Sequence, residues 1–374
     1  MSGKTKKTGL AKRSLNSSLN RRTVLKGAAA TVAAAAVGLP APYVHAARSI
    51  KVGVYGGYFK DSFDEFIFPE FAAASGIEIE SVAEPTGETW LVQIRNAAKA
   101  GVAPADISMM GGFARLRGAA EELWLPLDES QMPNATKYLD ESFVYRYPDG
   151  RLYGVGAVSW FITLCSNTDV YPEAPTSWAD MWDPKYEDSL GLLALATNSY
   201  LLDITANTFF DADMLTTQEG IEKVLAKLAE VKPNVRLWYK DEGTFQQALQ
   251  DGEVPMGQYY HDVTELARAD GFPVRSTFPK EGGVVDSGGW LVSKASDKQE
   301  EAQVFMDFTS SPEIQTKLSL NVGTAPVMDR KYLELTDEEF ASVASDIPPI
   351  VPQYHIYLEM GDWISDRWTE MISS

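Results

Sequence analysis

Two strand-to-helix turns built on paired glycines constrain this chain more than any other feature. In Ile50 to Phe63, Val52 and Val54 alternate with small or polar neighbours as a short strand does. The strand breaks at Gly56-Gly57, and helix-start signals follow. Paired glycines permit positive φ and close approach to bare backbone, and Tyr55, Tyr58 and Phe59 place aromatic surface at the same point. The pattern returns in the buried strand Pro104 to Met110, which ends at Gly111-Gly112-Phe113. Ligands of open α/β sheets sit beyond the carboxyl ends of parallel strands, so the two turns are expected to face one crevice. Taken alone, each turn equally fits aromatics folded into a core.

The rest of the chain alternates in the same way. Ser62-Phe63-Asp64-Glu65 has capping-box spacing, Gly76 to Glu80 reads as a strand, and Glu88 to Lys99 carries Leu91, Ile94 and Ala98 on one helical stripe. Tyr147 to Gly154 reads as a hairpin turn leading into a new strand. Thr216-Thr217-Gln218-Glu219 caps a helix with Ile221, Val224, Leu225 and Leu228 on one face. An α/β class follows, with no internal repeat.

Residues 1–46 stand apart. Met1 to Lys26 holds eight Lys or Arg and no acid, Ala28 to Val37 is an apolar run too short to span a bilayer, and Val44-His45-Ala46 supplies a small-residue cleavage site. Asn20-Arg21-Arg22-Thr23-Val24-Leu25-Lys26 resembles the twin-arginine export signal, which implies the twin-arginine export machinery as a partner, cleavage near Ala46 and a periplasmic destination. Losing eight positive charges takes the formal net charge from −19 to −27. That acidity argues against nucleic acid or an anionic membrane as partner. The single cysteine, Cys165, excludes an internal disulfide and reads as a buried strand residue.

Along the mature chain, the order of landmarks resembles the periplasmic polyamine-binding proteins of bacterial ABC importers, within extracellular solute-binding family 1. The matching residues are Val54 to Phe59, Thr176 to Tyr186, Lys232 to Val235, Gly252-Glu253-Val254, Pro279 to Gly283 and Gly323 to Pro326. The resemblance implies a two-lobed periplasmic-binding-protein fold of type II, with the ligand cleft between lobes joined by hinge strands. It implies lobe 1 from 47–157 and 263–325, and lobe 2 from 158–262 and the C-terminal helices 326–374. It also implies a small-molecule ligand, delivery to ABC permease subunits, no cofactor and no metal.

The family's ligand positions carry over to Gly57, Tyr58 and Phe59 in the first turn, Gly112 and Phe113 in the second, and Trp160 at the first hinge. Further positions are Tyr260 with Asp262 after Gly-Glu-Val, and Asp286 to Trp290 after the Lys-Glu-Gly-Gly turn. Asn198 stands in Thr197-Asn198-Ser199, where polyamine binders have acids, so acidic contacts are fewer. Trp238 completes the aromatic box or packs in a core. Aromatic faces attract an organic cation by about 0.5–2 kcal/mol each, and carboxylates accept its charge-assisted hydrogen bonds. Adjacent Tyr259 and Tyr260 suggest a rival, since ferric-ion-binding relatives use tyrosinate oxygens. Neighbouring strand residues face opposite ways, which leaves one tyrosine for the crevice. His261 beside Asp262 hints at acid-base chemistry, but no hydrolase or metalloprotease motif accompanies it.

Overall fold

The computed structural model describes residues 48–85 and 87–373, the side chains of Tyr58 and Glu88 excepted. The export segment 1–46 lies outside the described residues. Ten strands form one sheet: β1 Arg48–Tyr55, β2 Ile77–Glu84, β3 Ile107–Met110, β4 Val144–Arg146, β5 Leu152–Asn167, β6 Leu190–Leu193, β7 Val235–Tyr239, β8 Met256–Tyr260, β9 Val274–Thr277 and β10 Val284–Val292. Their order is β2-β1-β3-β10-β5-β8-β6-β7, with β4 and β9 paired on β5. β1 lies parallel to β2 and β3, β6 parallel to β7 and β8, and β5 and β10 antiparallel between the two parallel sets.

Those two middle strands are the hinge of a two-lobed molecule. β5 is rich in β-branched and aromatic residues and buried along nearly its whole length, as expected of a strand covered on both faces. Its first half, with Leu152, Val155 and Val158, packs in a core with Val52, Phe71, Trp290 and Phe305. Its second half, with Ile162 and Leu164, packs with Trp178, Leu192, Val224 and Trp368. β10 makes the same passage in reverse, from Val284 in the second core to Trp290 and Val292 in the first.

The lobes exchange chain later than the landmarks suggested. β9 pairs with Leu164 to Asn167, and Ala267 and Val274 pack beside Cys165, so residues after 262 remain with lobe 2 until β10 begins. Val327 and Met328 still touch lobe 1, through Gln315 and Leu139. The chain then meets lobe 2 through Phe340, Val343 and Ala344, which pack with Phe278, and through Ile350, which bridges to Val284, before the final helix His355–Ser373. Strand pairing, which a landmark does not report, sets these crossings.

The first glycine turn is tighter than its capping-box spacing suggests. Gly57 takes φ 69°, and the helix starts at Tyr58, which places Ser62 inside it without a capping bond. A π-turn over Phe63–Ile67 follows, where Pro69 opens the next helix at Phe68. Proline lacks an N–H and its ring crowds the preceding turn, so the local widening removes that conflict.

Three landmarks prove to hold one another. Trp178 Nε1 donates to Gly282 O at 2.8 Å, and Ser177 Oγ donates to Glu281 Oε1 at 2.6 Å. Asn234 Nδ2 donates to the carbonyls of Met181 and Asp183. Their role is structural, since none lines the cleft described next.

Candidate solute-binding cleft

A cleft of about 740 Å³ opens between the lobes at the carboxyl ends of the parallel strands. Tyr55 ends β1, Gly111 and Gly112 follow β3, Thr197, Asn198 and Tyr200 follow β6, Glu242 follows β7, Tyr260 ends β8, and Asp262 lies in the helix that follows it. The hinge strands supply its floor. Asp286 of β10 is the register partner of Trp160 in β5, and Ile162, two residues on, is the partner of Tyr260. Residues opposite one another in antiparallel pairs share a face, as do residues two apart, so Asp286, Trp160 and Tyr260 all present to the same side.

Asp286 is 9% exposed. Tyr200 Oη donates to its Oδ2 at 2.8 Å, and its own Ser287 N–H donates to Oδ1 at 2.8 Å. Burial raises its pKa, opposed by these hydrogen bonds and by the guanidinium of Arg115. Arg115 itself stacks over Tyr145 at 3.4 Å and does not line the cleft. The hydroxyl of Tyr354 faces Asp286 and Tyr200 but completes no hydrogen bond. Tyr200 reaches Asp286 from an αL backbone, φ 57° and ψ 6°, a conformation costly for a residue with a side chain.

A second acidic group lies on lobe 2. Tyr260 Oη donates to Glu242 Oε1 at 2.9 Å on the rim. Asp262 nearby has one buried carboxylate oxygen without a hydrogen-bond partner, and burial pushes its pKa up to about 6. No Lys, Arg or His side chain lines the cleft among the described residues. Carboxylates with aromatic faces and no competing cation make a site suited to an ammonium group.

The structure brings Phe59, Gly112, Phe113, Trp160, Asn198, Tyr260, Asp262 and Asp286 to this cleft. Gly57 shapes the turn without lining it, and the side chain of Tyr58 is outside the described residues. Trp290 shares a face of β10 with Asp286, four residues away, but stands farther into lobe 1, where Phe63 and Phe305 cover that face and bury the indole completely. Trp238 packs on Trp368 in lobe 2. Tyr259 is buried against Phe245 and touches the cleft only at its edge, its hydroxyl donating to Glu242 O at 3.2 Å.

Tyr200, Glu242 and Tyr354 line the cleft and were not singled out from the sequence. The strand-end rule applied to β7 would have reached Glu242. Tyr200 depends on a backbone conformation and Tyr354 on a segment remote in sequence, neither of which leaves a local signal.

Comparison with known proteins agrees with this architecture. The model of the bacterial extracellular solute-binding proteins matches residues 67–342, and that of the twin-arginine translocation signal matches residues 18–38. The chain is 25% identical over 284 residues to the gamma-aminobutyric acid-binding protein of Pseudomonas aeruginosa, covering 75% of this chain and 77% of that protein. It is 25% identical over 292 residues to spermidine/putrescine-binding periplasmic protein 1 of Haemophilus influenzae, covering 75% and 78%. An ABC transporter substrate-binding protein from Bradyrhizobium japonicum USDA 110 shares the fold with a TM-score of 0.73 at 22% identity, over 87% of this chain and 99% of that one. With a cleft between two hinged lobes and an export signal ahead of them, the chain belongs to the bacterial extracellular solute-binding proteins and is exported to the periplasm.

Proposed function

We propose that this protein is the solute-capturing subunit of an ABC importer and that its solute is a small organic cation, polyamine-like in chemistry. The observation that carries the reading is the cleft lining: Glu242, Asp262 and Asp286 stand among Tyr55, Phe59, Trp160 and Tyr260, with no basic side chain beside them among the described residues. An ammonium pole meets Asp286 at the hinge, and the rim pair Glu242 and Asp262 receives a second pole or the distal end. Contacts to both lobes favour the closed form, which is then presented to a membrane permease. The spermidine/putrescine-binding relatives support this class. The cleft binds rather than transforms, so a captured amine is returned unchanged when the protein is denatured.

A second reading has its own observation. Thr197 and Asn198 line the cleft in neutral form, and an amide and a hydroxyl there suit the carboxylate end of an amino acid such as 4-aminobutyrate, the ligand class named for the Pseudomonas relative. Calorimetric titration of ligand-stripped mature protein with putrescine, spermidine and 4-aminobutyrate decides. Heat of binding from either polyamine supports the cation reading, heat from 4-aminobutyrate alone transfers the site to the second reading, and no heat from any of the three removes both.

A further inference from the structure

One close contact across the cleft involves no charge. Gly112 opens the lobe-1 helix Gly112–Ala120, and Tyr354 leads into the final helix on lobe 2. A Cβ on Gly112 would overlap the Tyr354 ring, standing 2.7 Å from Cζ and 2.8 Å from Cδ2. The next residues repeat the meeting, with the rings of Phe113 and Tyr357 edge to face at 6.2 Å.

Tyr354 is held from the lobe-2 side. The N–H of Gln353 donates to Asp203 Oδ1 at 2.9 Å, Gln353 Nε2 donates to Ala212 O at 2.9 Å, and Tyr357 Oη donates to Ala196 O at 3.1 Å. The backbone of Tyr354 is thus tied to lobe 2, and Tyr200 packs edge-on to its ring at 6.4 Å. Gly112, by contrast, is not among the glycines with positive φ. Its backbone therefore does not require glycine, and a helical alanine is the better residue there by intrinsic propensity. What requires glycine is the approach of the other lobe.

The geometry points to Gly112 and Tyr354 as a closure latch: the ring of Tyr354 seats on the bare Cα of Gly112, and the closed state of the protein depends on that seat being empty of a side chain. The latch rests on the two-lobed capture mechanism proposed above, but not on which solute is captured. A methyl at Gly112 leaves each lobe intact and penalises closure alone, which lowers apparent affinity by the fraction of closed form lost.

The test combines Gly112→Ala, Tyr354→Ala and the double variant. Putrescine, spermidine and 4-aminobutyrate serve as probes, and spin labels on Val92→Cys in lobe 1 and Leu266→Cys in lobe 2 report closure. Both label sites are exposed, and the native Cys165 is buried. The expected result is unchanged thermal stability for Gly112→Ala, at least tenfold weaker binding of whichever probe the wild type binds, and loss of the short inter-label distance. In the Tyr354→Ala background, the same methyl has no further effect, because the ring it obstructs is gone. Binding by Gly112→Ala equal to wild type, or an undiminished penalty in the Tyr354→Ala background, overturns the latch. If the wild type binds none of the probes, the cation reading fails separately and the latch is read from the ligand-free distances. A short component that survives in Gly112→Ala, or is missing from the wild type altogether, overturns it.

Discussion

Tyr200, on lobe 2, donates its hydroxyl to Asp286 of the hinge strand β10 at 2.8 Å, so the carboxylate at the centre of the cleft is oriented by the lobe that closes over it. Replacing Asp286 by Asn keeps shape and an acceptor for Tyr200 but removes the charge. A charge-assisted hydrogen bond contributes about 1.5–3 kcal/mol. Asp286→Asn should therefore weaken putrescine binding by roughly tenfold to a hundredfold, and Tyr200→Phe by less, both read by calorimetry at pH 7.5. Unchanged affinity in Asp286→Asn would place the ammonium elsewhere.

Proton linkage at Asp262 gives affinity a pH dependence. Burial pushes its pKa up to about 6, so below that pH a bound cation must displace a proton, and above it the carboxylate is already ionised. Affinity for a diamine should rise with pH between 5 and 7 by about tenfold and then level off. Asp262→Asn should flatten this rise, as measured by titration calorimetry in buffers of differing ionisation enthalpy.

Asp203 carries a different linkage, one of stability. It lies buried beneath Tyr354 and Tyr357, with Oδ1 accepting from the Gln353 N–H and Oδ2 unpartnered, and burial raises its pKa to about 7. Folding raises this pKa, so the neutral form is the one the fold favours. Its stabilising contribution is complete below about pH 4 and is lost as pH rises through about 7, with a ceiling of roughly 4 kcal/mol. Asp203→Asn should raise the melting temperature of the ligand-free protein at pH 8 by several degrees and leave it unchanged near pH 4. An equal gain at both pH values would refute the linkage.

The tyrosine pair argues against ferric ion. Tyr260 donates to the Glu242 side chain and Tyr259 to the Glu242 carbonyl, and burial raises both phenolic pKa values. Iron needs phenolates and would have to break both bonds. Adding ferric citrate to the mature protein should give no visible phenolate charge-transfer band, and a band abolished by Tyr260→Phe would reinstate the iron reading.

How far the sequence spoke can be judged residue by residue. The strand-to-helix turns were legible because glycine pairs interrupt two apolar strands, although only Gly57 takes a positive φ that few other residues permit, and the strand-end rule converts those breaks into a cleft wall. The loop Thr176 to Tyr186 was legible as a landmark but not as what it is, a structural knot tied to Glu281, Gly282 and Asn234. Lobe boundaries were displaced because β9 returns to β5 through strand pairing between residues roughly 110 apart, which no local pattern encodes. Tyr354 escaped for the same reason. Its neighbours in sequence are a proline-rich connection and a helix, while its neighbours in space are Gly112 and Tyr200.

Trp290 marks the difference between an aromatic near a cleft in sequence and one that lines it. It follows Asp286 by four residues on the same face of β10, but farther into lobe 1, where the indole is fully buried between Phe63, at 5.9 Å, and Phe305, at 5.1 Å. Truncating a buried tryptophan leaves a cavity and costs about 3–5 kcal/mol. Trp290→Ala should accordingly lower the unfolding free energy by that amount, read as a lower urea midpoint at unchanged slope. Under native conditions, the variant should bind putrescine within about threefold of wild type, since the lost contacts lie inside lobe 1 and not on the ligand path. Trp160→Ala should show the opposite pattern, because its ring lies across from Asp286 on the cleft face: a smaller stability loss, and a loss of cation affinity of roughly 0.5–2 kcal/mol from the missing cation–π contact. If Trp290→Ala abolished binding while its unfolding midpoint stayed unchanged, Trp290 would have to reach the solute.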